Sequence, residues 1–265
     1  MIAQFEHASG AIIGSRTSQE DACAFALLNG QASALTGQTV SITSSNELLA
    51  VLTDGMGGHV GGAKASSLAC RNFIADYSDR TGPTSERLMN ALEESNKSIE
   101  TEIDLDRALH GMGCTLIGAT FRSSGLRWVS VGDSLLYLIR GGAIYHLNED
   151  HSLAPVLDEL VLAGEMSAYE AKCHPRRNAL RSALTGTTLD LVDLKDDPVP
   201  LEPDDIVVVA SDGILSISEH DILKLVQDNQ NLDTEKMVRA LLDAVEEAQD
   251  PFQDNTTIMV VRPKD

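Results

Sequence analysis

The chain has 265 residues, 43% hydrophobic and 23% charged, proportions ordinary for a globular protein and unlike a disordered or collagen-like one. Its 40 acidic residues against 20 basic ones give a formal net charge of −20. That charge argues against nucleic acid or an anionic membrane surface as a partner, since both are bound through clustered Lys and Arg, and it would steer basic partner segments towards the protein.

The first strands are expected at Ala11–Gly14 and Ala22–Leu28, with the polar stretch Asn29–Gly37 as a loop. Leu48–Thr53 is a short, continuous apolar run of the kind that forms a buried strand, and it breaks off into the Gly-rich loop Asp54–Gly62. A helix is expected from Ala63 to about Tyr77, ahead of the turn at Gly82-Pro83. A second runs from Ser85, a suitable N-cap, to about Ile103, with Leu88, Leu92, Ile99 and Ile103 on one face. Thr115–Phe121, Leu126–Val131, Leu135–Arg140 and Ala143–Leu147 read as strands joined by tight turns, an antiparallel meander. From Ser152 to Gly186 come short helical pieces whose basic residues, Lys172, Arg176, Arg177 and Arg181, read as solvated charges. Ile206–Ala210 is again a buried strand. Ser218–Val226 and Thr234–Ala248 are helical, the latter with a core stripe of Val238, Leu241, Leu242 and Val245. Thr256–Val261 is the closing strand. Without a repeat or linker, 1–265 reads as one domain with a flap-like insertion at about 152–186.

No segment reaches the roughly 18 consecutive apolar residues of a membrane span. Met1–His7 lacks the basic-then-apolar order of a signal peptide. Cys23, Cys70, Cys114 and Cys173 make neither a CxxC pair nor a zinc spacing. The expectation is a cytoplasmic monomer with reduced thiols.

Four acidic motifs stand out: Arg16-Thr17-Ser18-Gln19-Glu20-Asp21, Asp54-Gly55-Met56-Gly57-Gly58-His59, Ser211-Asp212-Gly213 and Asp254-Asn255-Thr256-Thr257. Three lie where an apolar run ends or begins. A carboxylate at the end of a buried strand is rigidly held yet points out of the core. Several converging there need a counter-charge, and hard divalent cations bind through such oxygens.

In this order, and with Gly113-Cys114-Thr115, Val131-Gly132-Asp133-Ser134, Asp150-His151-Ser152 and Pro175–Leu180 between them, the motifs resemble the protein phosphatase 2C family of metal-dependent phosphatases, bacterial type. The resemblance implies an α+β fold, a four-layer α/β/β/α sandwich of two antiparallel sheets flanked by helices. It implies two Mn2+ or Mg2+ ions, with Asp54 bridging them, Glu20 and the Gly55 carbonyl supporting one, and Asp212 and Asp254 completing the other. Asp21 is implied in the same shell or just behind it. In similar bacterial enzymes a third, weaker ion uses the position of Asp133 together with that of Asp212. Arg16 is the implied phosphate clamp, its guanidinium gripping two phosphate oxygens. The implied reaction is direct hydrolysis of phosphoserine and phosphothreonine in proteins by a hydroxide shared between the ions, opposing a Ser/Thr kinase. Alternatives are a catalytically weak phosphoprotein-binding module and a phosphatase of another phosphomonoester. No Cys-x5-Arg loop is present for thiol chemistry. Two positions depart from common family patterns: Gln19 stands where Asn is frequent, and Met56 where eukaryotic members carry a His proposed as general acid. His59 lies nearby but not at the matching position, so no side chain is assigned as general acid.

Overall fold

The computed structural model describes residues 4–28, 32–35, 39–41, 47–57 and 59–264. In chain order these form β1 (Gln4–Ile12), β2 (Ala22–Leu28), β3 (Ala32–Leu35), β4 (Thr39–Ser41), β5 (Glu47–Thr53), β6 (Gly55–Met56), α1 (His59–Asp79) and α2 (Thr84–Leu105). There follow β7 (Gly113–Cys114), β8 (Leu116–Arg122), β9 (Gly125–Val131), β10 (Leu135–Arg140), β11 (Ala143–His146), α3 (Ala154–Leu162) and α4 (Ala168–Lys172). The chain closes with β12 (Asp193–Val199), β13 (Ile206–Ala210), α5 (Glu219–Asp228), α6 (Thr234–Glu247) and β14 (Thr256–Lys264).

Two six-stranded antiparallel sheets result, in the orders β11-β10-β13-β14-β1-β4 and β12-β9-β8-β5-β2-β3. Alternation along the strands sorts their residues into three cores. Leu48, Ala50 and Leu52 of β5 meet Val207, Val209, Met259 and Val261 between the sheets. Leu49 and Val51 point the other way, towards Phe73, Tyr77, Leu88 and Leu92 of α1 and α2. Ile206, Val208, Ile258 and Val260 pack under Ile222, Val226, Leu241 and Val245 of α5 and α6. A strand covered on both faces needs an unbroken apolar run, which is why β5 and β13 stand out in the sequence. The layers are therefore α/β/β/α.

Several expectations shift. The opening strand is Gln4–Ile12 rather than Ala11–Gly14, and the anticipated loop at Asn29–Gly37 contains β3; its other residues lie outside those described, apart from Ala32–Leu35 themselves. The first helix begins at His59 instead of Ala63. The second begins at Thr84 behind Pro83, with no side-chain cap, so Ser85 is inside the helix; Pro fixes the entry backbone without a capping side chain. The four-strand meander divides: β8–β9 is a hairpin of one sheet and β10–β11 of the other. The chain changes sheet at Gly132-Asp133-Ser134, where Gly132 has φ +106°, a backbone that favours glycine. The strand β12 is not visible as apolar alternation, because it is a sheet edge and carries Lys195, Asp196, Asp197 and Pro198. Among the described residues no helix is long and apolar enough to cross a membrane.

At the start of β5, away from Asp54, Glu47 is buried against two arginines. Arg87 Nη1 donates to it at 2.7 Å, Arg122 bonds its other oxygen, and the Tyr77 hydroxyl adds a bond of 3.1 Å. Burial alone would raise the Glu47 carboxyl, but Arg122 and Arg87 outweigh it and hold the group below its ordinary range.

Candidate functional site

The strand ends carrying the acidic motifs open into one cleft of about 620 Å³, lined by Arg16, Glu20, Asp54, Gly55, Asp133, Asp212 and Asp254 among others. Asp54 leaves the end of β5 with its backbone fixed: its N–H donates to Thr115 Oγ1 at 3.0 Å, and its carbonyl accepts from Thr115 N at 2.8 Å. The Thr115 hydroxyl is bonded in turn to Ser134 at 2.7 Å, tying Asp54 to the loop that bears Asp133. The next residue, Gly55, has no room for a side chain, since a Cβ there would lie 2.3 Å from the Gly62 carbonyl oxygen and 2.5 Å from that of Glu20.

Asp212 follows β13 and starts a 3-10 turn, Asp212–Ser216. Asp254 precedes β14, and its Oδ2 lies 2.5 Å from Arg16 Nη2. The loop bearing Arg16 and Glu20 is anchored by a residue to which the sequence assigned no role. Asn255 donates through Nδ2 to the carbonyls of Ile13 (2.9 Å) and Ser18 (3.0 Å), and its Oδ1 accepts the Glu20 N–H at 2.8 Å. Its only signal in the sequence is its place beside Asp254. Gln19 accepts the Asp21 N–H at 2.9 Å and donates to the Ile12 carbonyl at 3.2 Å, so it orders the same loop.

Asp21 does not line the cleft. It is buried behind it, accepting a 2.8 Å bond from Ser211 Oγ, while its Oδ1 has no hydrogen-bond partner among the described residues. Ser211 Oγ also accepts the Thr257 N–H at 2.9 Å, so Asp21 steadies the junction from which Asp212 and Asp254 project.

Burial and crowding raise the carboxyls. Asp54 is driven well above its ordinary value by burial, then by Asp21, Asp212, Asp133 and Asp254. Burial, Asp254 and Asp21 push Asp212 up to about 6. Burial, Asp212 and Asp150 push Asp133 up to about 7. A raised carboxyl makes the folded chain bind more protons than the unfolded one between 3.8 and the raised value, so its contribution to stability is lost as pH rises. His7, lowered to about 4, has the opposite sign below 6.5, so the carboxylate effect should emerge above it. Without divalent ions the melting temperature should fall from pH 6.5 to 7.5, and Asp133→Asn should flatten that slope. Thermal melts in chelator check this; an equal slope in the variant would contradict it.

The donor set is all oxygen, namely carboxylates and peptide carbonyls, and a buried Asp21 oxygen lacks a hydrogen-bond partner among the described residues. Such a set suits Mg2+ or Mn2+ and not zinc. Among the described residues no three His, Cys, Asp or Glu side chains form a ready-made metal cage; Mg2+ keeps several waters and does not need a full protein cage. The thiols offer no rival chemistry at the cleft. Cys114 is raised by burial, and Cys70 is pushed up to about 12 by burial, then by Cys23.

A family model described as "Protein phosphatase 2C" matches residues 33–256, which include Asp54, Asp133, Asp212 and Asp254 but not Arg16, Glu20 or Asp21. The serine/threonine phosphatase stp of Listeria welshimeri is 34% identical over 188 residues, 68% of this chain and 73% of the relative. The crystal structure of the Mycobacterium tuberculosis serine/threonine phosphatase PstP/Ppp superposes with a TM-score of 0.77 at 26% identity, covering 99% of this chain and 100% of that one. A structure of the PstP catalytic domain in complex with two manganese ions matches at 25% identity and a TM-score of 0.74, over 99% of each chain.

Proposed function

The chain belongs to the protein phosphatase 2C family, and from that we propose that it is a Mn2+- or Mg2+-dependent phosphatase acting on phosphoserine and phosphothreonine in proteins, reversing the work of a Ser/Thr kinase. The observation that carries this reading is the meeting in one cleft of Arg16, Glu20, Asp54, Asp212 and Asp254, which are far apart in the chain.

Asp54 would hold both of two ions, Glu20 and the Gly55 carbonyl would support one, and Asp212 and Asp254 would complete the other; Asp133 with Asp212 would hold a third. Bound ions of this kind generate hydroxide from water near neutral pH and neutralise phosphate charge. The protein's part is positioning. Arg16, its side chain 51% exposed, can turn its planar fork to two phosphate oxygens and align phosphorus for in-line attack. The steep close approach at Gly55 fixes its carbonyl, and Thr115 fixes Asp54. Asp21 acts from behind, through Ser211. Met56 offers no proton, and no side chain is assigned as general acid. Segment 152–186, which supplies residues 178–183 and Thr185 to one cleft wall, is assigned as a flap over the phosphoprotein, within the single domain 1–265.

Turnover of p-nitrophenyl phosphate and of a phosphothreonine peptide should require Mn2+ or Mg2+ and stop on chelation; turnover that survives chelator would overturn the reading. Asn255→Ala should lower kcat/KM by about 10–100-fold, the loss typical of residues that orient metal ligands. Steady-state kinetics at saturating Mn2+ check it, and a wild-type value would remove Asn255 from the positioning network.

A further inference from the structure

Arg181 lies on a strip of backbone that is fixed at several points. Leu153 N–H donates to the Ala179 carbonyl at 3.0 Å, Arg181 N–H donates to the His151 carbonyl at 2.8 Å, and Cys114 and Leu184 exchange bonds of 3.0 and 2.9 Å. Ser182, Ala183 and Leu184 are buried, so the strip cannot slide. From it the exposed side chain of Arg181 lines the cleft, where the sequence reading had only a solvated charge.

The cleft wall holds six carboxylates, Glu20, Asp54, Asp133, Asp190, Asp212 and Asp254, and two cations, Arg16 and Arg181. Arg16 bonds Asp254. Arg181 has no side-chain hydrogen bond or ion pair among the described residues. Several other arginines grip carboxylates: Arg177 forks Asp158 at 2.9 and 2.8 Å, Arg140 holds Asp205, and Arg262 holds Glu6. A guanidinium on a locked backbone, facing a substrate cleft with its donors uncommitted, is organised in advance for a carboxylate or phosphate. The backbone needs no ordering on binding; the side chain alone is immobilised.

We propose that Arg181 is a specificity-determining residue that receives a second anionic group of the substrate, a carboxylate or phosphate flanking the phosphorylated residue. This rests on the phosphatase reading above. It assigns to the enzyme a preference for acidic or multiply phosphorylated segments, despite the net charge of −20.

The test is a set of phosphothreonine peptides carrying, at successive flanking positions, Ala, Asp, Lys or a non-hydrolysable phosphonate residue, assayed with Mn2+. At the position Arg181 serves, the wild-type kcat/KM for the Asp or phosphonate peptide should exceed that for Ala by about tenfold, the strength of a charge-assisted pair. Arg181→Ala should bring that ratio to about one, Arg181→Lys should keep part of it, and Arg181→Glu should favour the Lys peptide. A purely structural role would lower all peptides together and leave the ratio unmoved. Asp against phosphonate separates the two sources of the anion. Identical ratios in wild type and Arg181→Ala at every position would overturn the assignment. If wild type hydrolyses neither the peptides nor p-nitrophenyl phosphate, the phosphatase reading fails instead.

Discussion

Asp54→Asn should reduce phosphatase turnover by on the order of 10³-fold or more while leaving the metal-free protein more stable than wild type. The two effects have one origin. Asp54 is buried among Asp21, Asp212, Asp133 and Asp254, and burial and their charges drive its carboxyl well above the ordinary range. Burial and the neighbouring carboxylates make its ionisation without a counter-ion costly to the folded state; Asn has nearly the same shape and no charge. Removing it relieves the repulsion, and each kcal/mol regained raises the melting temperature by about 2–4 °C in a domain of this size. In the proposed two-ion arrangement the same carboxylate would be the shared ligand. Losing it removes several kcal/mol of charge stabilisation in the transition state, and every 1.36 kcal/mol is about tenfold in rate. Kinetics with Mn2+ and melts in chelator measure both. Wild-type turnover in the variant would remove Asp54 from the chemistry, and a lowered melting temperature in chelator would contradict the crowding argument.

Glu47→Ala should show the reverse pattern, a large loss of stability with turnover retained below the melting transition. Glu47 and Asp54 occupy opposite ends of β5, about 23 Å apart at ~3.3 Å per residue. Truncating Glu47 leaves Arg87, itself buried, with the Tyr77 carbonyl at 2.9 Å and the Tyr77 ring at 3.9 Å but no carboxylate. Breaking a buried pair from one side costs about 3–5 kcal/mol, on the order of 10 °C here. The sign of the pH dependence follows from the lowered carboxyl: the stabilisation is present above the unfolded value of 4.5 and is lost as pH falls through the folded one. Denaturant melts at pH 7 and pH 4 should therefore separate wild type from variant widely at the first and less at the second. Equal stability at pH 7 would show that Arg122 and Arg87 find other partners.

What the sequence made legible follows from how strictly each feature is determined. Strands covered on both faces, such as β5 and β13, cannot be anything but apolar, and the carboxylates that follow or precede such runs are visible by contrast. The ordered motifs and their family resemblance brought the layer order and the candidate site residues, which, Asp21 excepted, line one cleft. The partition of strands between sheets was not legible: nothing local distinguishes a tight hairpin from a crossing, and Gly132-Asp133-Ser134 reads as a turn in either case. Edge strand β12 was hidden by the charges and proline that keep a sheet edge from pairing further. Asn255 and Ser211 act through bonds to residues more than 180 positions away, so their neighbours in sequence say nothing of their role. Arg181 resembles its basic neighbours until the backbone path shows that Arg177 faces Asp158 while Arg181 faces the cleft.

Calorimetric titration of Mn2+ into the metal-free protein, wild type beside Asp54→Asn, puts the shared-ligand arrangement to a direct test. Wild type should take up at least two ions per chain, and Asp54→Asn should lose or greatly weaken both, because one carboxylate serves the pair. Equal uptake by the two proteins, or no uptake by wild type, would contradict a metal centre built on Asp54.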